Sequence, residues 1–245
     1  MADRGLAPSR SRAQSLVIAG KVRVEGRVEC KAGAQVAPDA KIEIQTPDHP
    51  YVSRGALKLM AALDAFDIAP EGLDCLDIGA STGGFTDLLL ERGARRVIAL
   101  DVGRGQLDWR LRTDPRVEVM EEVNARHLET IALPFAAALA TVDVSFISLR
   151  LVVPPLLTHL LPHAWLVCLV KPQFEAGREE VGKGGIVRDE TVRRETIDRT
   201  VRALADLGLQ HIGLVPSPIR GQKGNLEELA VFRTQGIICT EEEDR

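Results

Sequence analysis

The sequence predicts an α/β protein: a mostly parallel sheet covered by helices on both faces, preceded by a small α-then-β module. Two observations carry this. From residue 53 onward short apolar runs alternate with amphipathic stretches, the signature of strand-helix-strand units. The first 45 residues instead carry one helical period followed by the alternation of half-buried strands. At 245 residues the chain suits one full-sized domain plus a small appendage. The expected boundaries are a module at 1–45, a linker at 46–52 containing two prolines, a large domain at 53–238 and an acidic tail at 239–245.

In chain order, Ala13, Leu16, Val17 and Gly20 fall on one helical face, with Ser9 or Ser11 as the N-cap. Val22, Val24, Val28, Ile42 and Ile44 then alternate with polar residues, with Glu25-Gly26 as a turn. Beyond the linker, strands are expected at 73–78, 96–102, 117–120, 136–144, 165–170, 211–215 and 226–232, and helices at 86–92 and 190–207.

Composition narrows the function classes. No apolar stretch approaches the roughly 18 residues a membrane span needs, and the first residues lack the apolar core of a secretory signal, so a cytoplasmic protein is expected. Cys30, Cys75, Cys168 and Cys239 form no CxxC pair, which argues against a zinc site or a disulfide framework and for small buried hydrophobes. Net charge is −4, yet residues 1–31 hold seven Lys or Arg against three acids. Arg4, Arg10, Arg12 and Lys21 in that segment, with Arg54 beyond the linker, suit phosphate contacts. A solvated helix face explains the same charges.

The most informative string is Leu76-Asp77-Ile78-Gly79-Ala80-Ser81-Thr82-Gly83-Gly84-Phe85, between a strand and a helix. As a dinucleotide fingerprint it fails, because Ser81 replaces the middle glycine. As GxSxG it matches a nucleophile elbow with Ser81 as nucleophile, and Asp143 and His211 could complete a triad, but such an elbow normally follows several strands. The third reading is S-adenosylmethionine binding. Asp77 ends one strand, Gly79, Gly83 and Gly84 let the backbone approach a ligand, and Asp101 ends the next strand, where it can take both ribose hydroxyls. Two strand-end carboxylates around one glycine turn suit that cofactor best. Gly177 to Lys183 has Walker spacing but continues with Gly184 instead of Ser or Thr, so a nucleotide triphosphatase is discounted.

Six blocks extend this reading: Tyr51-Val-Ser-Arg-Gly-Ala-Leu-Lys58-Leu, Asp77 to Thr86, Asp101-Val-Gly-Arg-Gly-Gln-Leu107, Asp143-Val-Ser-Phe-Ile-Ser-Leu149, Lys171-Pro-Gln-Phe-Glu-Ala-Gly177 and Gly224-Asn-Leu-Glu227. In this order they resemble the TlyA family, haemolysin-like ribosomal RNA 2′-O-methyltransferases. The basic N-terminal module is similar to the small RNA-binding domain named after ribosomal protein S-four.

The resemblance implies a Rossmann-like, seven-stranded methyltransferase sheet. It also implies methyl transfer from S-adenosylmethionine to a ribose 2′-hydroxyl, expected on cytidine, in ribosomal RNA or ribosomal subunits, with no membrane partner and no metal. It places an FtsJ-like catalytic tetrad on Lys58, Asp143, Lys171 and Glu227. Lys171 is the expected base, since Lys58 and a nearby sulfonium would disfavour a second positive charge there; Asp143 would orient it, and Glu227 would hold Lys58 or the ribose. Implied cofactor contacts are Asp77, Gly79, Ser81, Gly83, Gly84, Phe85, Asp101, Asn124 and Asp143, with Asn124 standing where relatives often carry an acid near adenine. Taken singly, Lys171 would be a solvated strand end, Asp143 a helix cap near Ser145, and Lys58 and Glu227 surface residues. Relatives open with a further Arg-Leu-Asp helix, so the first helix of the RNA module is expected to be mostly missing and a start upstream of Met1 is expected. The competing class is a membrane-active haemolysin, which needs a cationic amphipathic helix with an aromatic face; aromatics are 4% of the chain, and no such helix is visible.

Overall fold

The computed structural model describes residues 1–236 except 8, 9, 19–21, 30, 32, 38, 45–48, 178, 183, 222 and 223, and only the backbone of 11, 12, 15 and 18. Lys21, the Arg12 side chain, Cys30, Cys239, residues 46–48 of the expected linker and the acidic tail therefore lie outside the described residues. The chain divides into two compact units, Met1–Pro50 and Tyr51–Arg245.

In the smaller unit, helix α1 (Arg10–Ile18) precedes strands β1 (Val22–Val24), β2 (Arg27–Glu29) and β3 (Ile42–Ile44), an antiparallel sheet in the order β2-β1-β3. The two-residue turn from β1 to β2 is Glu25-Gly26, both with positive φ (49° and 76°), the twist a tight hairpin demands.

The larger unit is built on seven strands: β4 (Asp74–Ile78), β5 (Arg96–Leu100), β6 (Val117–Met120), β7 (Ala137–Val142), β8 (Leu160–Val170), β9 (Leu209–Pro216) and β10 (Glu228–Thr234). Their order is β6-β5-β4-β7-β8-β10-β9, and β10 runs antiparallel to both of its neighbours. Seven strands form within residues 73–234 as expected; β8 begins five residues before the expected Trp165 because its first residues pair with the start of β7.

Helices α2 (Gly55–Ala65), α3 (Gly84–Glu91), α4 (Trp109–Arg112), α5 (Leu149–Leu156), α6 (Pro172–Glu175) and α7 (Glu190–Ala205) surround the sheet. Only α3 and α7 were expected. Strand side chains alternate between two cores. Leu76, Ile78, Ile98, Leu100 and Val142 pack with α5 and α7, whereas Cys75, Val97, Ala99 and Leu139 pack with α2 and α3. Both described cysteines are buried, and burial pushes the Cys75 thiol up to about 12. Every parallel strand of the sheet's centre therefore ends on the same side, where the chain turns from strand to helix.

Candidate active site

The strand order reverses between β4 and β7, which leave the sheet side by side and then diverge, the usual place for a ligand in an open α/β sheet. The glycine turn makes the close approach possible. Gly79 has φ +84° and donates to Leu100 O at 2.8 Å, and a Cβ there would fall 2.4 Å from the Asp143 carbonyl oxygen. At the start of α3 a Cβ on Gly84 would fall 2.2 Å from Ser53 Oγ, so the residues entering α2 pack on the helix start. At the end of β5, Asp101 accepts from Ser81 N (2.8 Å) and Gly103 N (2.7 Å), which fixes its carboxylate at the same edge.

These ends enclose a cavity of about 470 Å³ lined by Gly79, Ser81, Asp101, Asn124, Asp143 and Phe146, among others. A cleft of about 120 Å³ shares Gly79, Ser81 and Asp143 and adds Ser53, Gly84 and Phe85. Asn124 Oδ1 accepts from Arg126 N (3.0 Å) and caps the following 3-10 turn (Ala125–Thr130).

Asp77 and Gly83 are placed behind the cavity wall. Asp77 is fully buried: Oδ2 accepts from Thr86 N (3.0 Å) and Thr86 Oγ1 (2.7 Å), and Oδ1 accepts from Thr141 Oγ1 (2.9 Å). Because Gly83 at the N-cap of α3 has no side chain, Asp77 supplies the acceptor that a capping residue would give. Burial raises its carboxyl to about 6 against the opposing pull of those hydroxyls. Gly83 packs under Leu107 and Leu111, the latter on α4. Neither residue lines the two cavities, and both support the turn.

The four charged residues expected at the site are brought to one end of the sheet. Lys58 sits on the buried face of α2, and its Nζ lies 2.6 Å from Glu227 Oε2. Lys171 follows β8 directly, with Nζ 2.5 Å from Asp143 Oδ1 and donating to Ser145 Oγ at 3.1 Å. The register sets Glu228 opposite Val170, so Glu227 and Lys171 occupy the next positions of adjacent antiparallel strands. Both lysines and Glu227 are less than 10% exposed (9%, 8% and 4%), so none is a solvated strand end or surface residue. Nor does Asp143 cap a helix; Ser148 caps α5. Each of the two amines has its own carboxylate partner, since a buried ammonium without a counter-charge is costly.

Several residues here escaped sequence reasoning. Gln173 Nε2 reaches Glu227 Oε1 at 3.4 Å, while its own Oε1 is buried with no hydrogen-bond partner among the described residues. Glu175, buried on α6, accepts from Ser148 Oγ (2.6 Å) and Leu149 N (2.8 Å), tying the segment after Asp143 to the segment after Lys171. Gln173, Glu175 and Ser148 lie inside the quoted blocks, and that was their only signal. Gly221 had none: a Cβ there would fall 2.0 Å from Glu227 Oε1.

Of the expected phosphate contacts, Arg10 and Arg54 are exposed, at the starts of α1 and α2. Arg4 is exposed too and donates to Ala40 O at 2.7 Å within its own unit. The elbow reading of Ser81 fails: His211 lies near the start of the edge strand β9, which runs parallel to β8, and therefore at the opposite end of the sheet from Ser81. The stretch with Walker spacing leads into no helix before Glu190.

Comparison with known proteins agrees with this geometry. Residues 51–234 match the FtsJ-like methyltransferase family. The Mycobacterium tuberculosis 16S/23S rRNA (cytidine-2′-O)-methyltransferase TlyA is 47% identical over 95% of this chain and 87% of its own length. A solved structure from Streptococcus thermophilus, described as a hemolysin, is 39% identical and superposes with a TM-score of 0.75 over 96% of this chain and 89% of that one. The N-methyltransferase NodS of Bradyrhizobium japonicum, solved with S-adenosyl-l-homocysteine, shares the fold alone: TM-score 0.52, 19% identity, 76% of this chain and 89% of that one. A family match across the larger unit and a relative nearly half identical along most of both sequences lead to one assignment: this chain belongs to the FtsJ-like methyltransferase family, among its TlyA members.

Proposed function

We propose that the protein transfers a methyl group from S-adenosylmethionine to the 2′-hydroxyl of a cytidine in ribosomal RNA, acting on ribosomal subunits in the cytoplasm. The observation that carries this is the convergence of the Lys171–Asp143 and Lys58–Glu227 pairs beside a strand-end cavity. The cavity's size lies within the usual range for small-ligand sites, and its donor set suits the cofactor. The Asp101 carboxylate stands where ribose hydroxyls would be held, Asn124 lines the same cavity, and the glycine turn leaves room where side chains would intrude. When bound there, S-adenosylmethionine supplies an electrophilic methyl group on a sulfonium.

The chain's own residues do the rest. Asp143 lines the cavity and also holds Lys171, so the Lys171 nitrogen lies one side chain behind that lining. In its unprotonated form Lys171 would accept the proton that the 2′-hydroxyl loses, the part of the transfer that this chain's own residues carry. Ser145 and Asp143 fix the direction of the amine. Lys58, anchored by Glu227 and backed by Gln173, orients the ribose. Placing the hydroxyl in line with the methyl carbon supplies much of the rate, which requires a nucleotide turned out of its helix. The basic N-terminal unit, through Arg10, Arg12 and Lys21, together with Arg54, docks the RNA by its phosphates.

Lys171→Ala should lower kcat by about 10²- to 10⁴-fold, the usual worth of a positioned acid or base, and leave the Kd for S-adenosylhomocysteine within about twofold. Calorimetry and transfer of labelled methyl to purified subunits measure both. Equal turnover by the variant would remove Lys171 from the mechanism.

A further inference from the structure

We propose that Arg188 and Arg220 form a clamp on the phosphodiester backbone of the RNA strand that carries the target nucleotide, an inference that rests on the function proposed above. Many arginines of the larger unit are held by carboxylates, while others, Arg54, Arg126, Arg150 and Arg202 among them, are exposed without an ion pair among the described residues. Arg92, Arg95, Arg96, Arg116, Arg193 and Arg194 each hold a carboxylate within 2.9 Å. Arg188 and Arg220 are exposed, and neither has an ion-pair partner among the described residues; Arg220 Nη1 only donates to Gly224 O at 3.2 Å.

Their placement is built by one buried residue. Asn225 is 4% exposed, and its Nδ2 donates to Gly185 O at 2.9 Å. Its Oδ1 accepts from Val187 N at 3.3 Å, immediately before Arg188. Its main-chain oxygen accepts from Gly221 N at 2.9 Å, immediately after Arg220. Both arginine-bearing segments are thus hydrogen-bonded to the same asparagine, two positions ahead of Glu227. The contact of Gly221 with Glu227 brings the Arg220 segment against the carboxylate that holds Lys58. Any strand that offers a ribose to Lys58 and Lys171 carries a phosphate on each side of that ribose. Two exposed guanidinium forks carried on segments held by one asparagine, without a counter-ion among the described residues, suit those phosphates in sign. Contacts of this kind position a strand without reading its sequence.

The test compares wild type with Arg188→Glu/Arg220→Glu and with Asn225→Ala, measuring retention on deproteinised ribosomal RNA across a salt series and KM for intact subunits. The clamp predicts that the double variant binds RNA about tenfold or more weakly. Its dependence of log affinity on log salt should be shallower by roughly 1.5 to 2, as for two lost phosphate contacts, and its Kd for S-adenosylhomocysteine unchanged. Asn225→Ala should shift RNA retention in the same direction, and Arg188→Lys/Arg220→Lys should recover most of the salt slope. Unchanged retention and slope in the double variant would overturn the clamp, as would a KM defect on intact subunits with normal retention on bare RNA, which would assign these arginines to an acidic protein segment. Retention is read without turnover, so wild type that binds RNA but transfers no methyl group would refute the proposed function and leave the clamp standing.

Discussion

At the scale of single residues, the site is two buried ion pairs, and each pair is better understood by what its loss leaves behind. Removing Glu227 leaves the Lys58 ammonium in a nearly closed environment with only the Gln173 amide near its former partner. Breaking a buried pair from one side typically costs about 3 to 5 kcal/mol, while replacing both members by apolar residues of similar volume can be neutral. Glu227→Ala should therefore lower unfolding free energy by that order in urea titrations, and Lys58→Met/Glu227→Leu should restore most of the stability while remaining inactive. If the single and double variants unfold together, the pair does not carry the energy assigned to it. The identities of Lys58, Asp143, Lys171 and Glu227 could be read from sequence because each sits in a short block with its neighbours. Their partners could not: Thr141 lies 64 positions from Asp77, and Glu227 lies 169 from Lys58. Hydrogen bonds of that separation exist only once the sheet has set the register.

At the scale of elements, β4 shows how one strand can carry two aspartates with opposite electrostatics. Asp74, at its start, is held well below the usual carboxylate range by Arg96 and Arg95, while burial raises Asp77, near its end, to about 6. The stability that Asp74 contributes is present above its unfolded pKa of about 3.9 and is lost as pH falls below it. For Asp77 the sign reverses. Between about 3.9 and 6 the folded state holds the proton more tightly than the unfolded chain, so stability falls as pH rises through that window. The full difference is roughly 3 kcal/mol, at 1.36 kcal/mol per pKa unit. Asp77→Asn should accordingly gain on wild type by about that amount between pH 4 and pH 7 in denaturant titrations, since an amide can still accept from Thr86 and donate to Thr141. A stability difference independent of pH would show that Asp77 is ionised throughout. Strands were legible because short apolar runs bounded by turns leave few alternatives. Helix α5 was not, because Pro154 and Pro155 read as breakers. The carbonyls those prolines leave without helical donors belong to Arg150 and Leu151, two exposed residues. Glu175 and Ser148 meanwhile secure the start of the helix.

At the scale of the whole molecule, a basic unit of 50 residues precedes a methyltransferase unit whose sheet ends converge on one cavity. Relatives of this chain carry two kinds of name, rRNA methyltransferase and hemolysin. Among the described residues no helix is long and apolar enough to cross a membrane, whereas the parallel sheet, the glycine turn and the paired charges are all arranged for group transfer. The overall plan was legible because strand-helix alternation, a glycine turn and a basic N-terminal segment are each local in sequence. The central claim is that a sugar hydroxyl, not a base, receives the methyl group at Lys171. Its most direct test digests ribosomal RNA to nucleosides after incubating purified subunits with enzyme and isotopically labelled S-adenosylmethionine, then identifies the labelled nucleoside by mass spectrometry. The account predicts 2′-O-methylcytidine with wild type and none above background with Lys171→Ala. Label on a nucleobase, or label on ribose that persists in the variant, would contradict it.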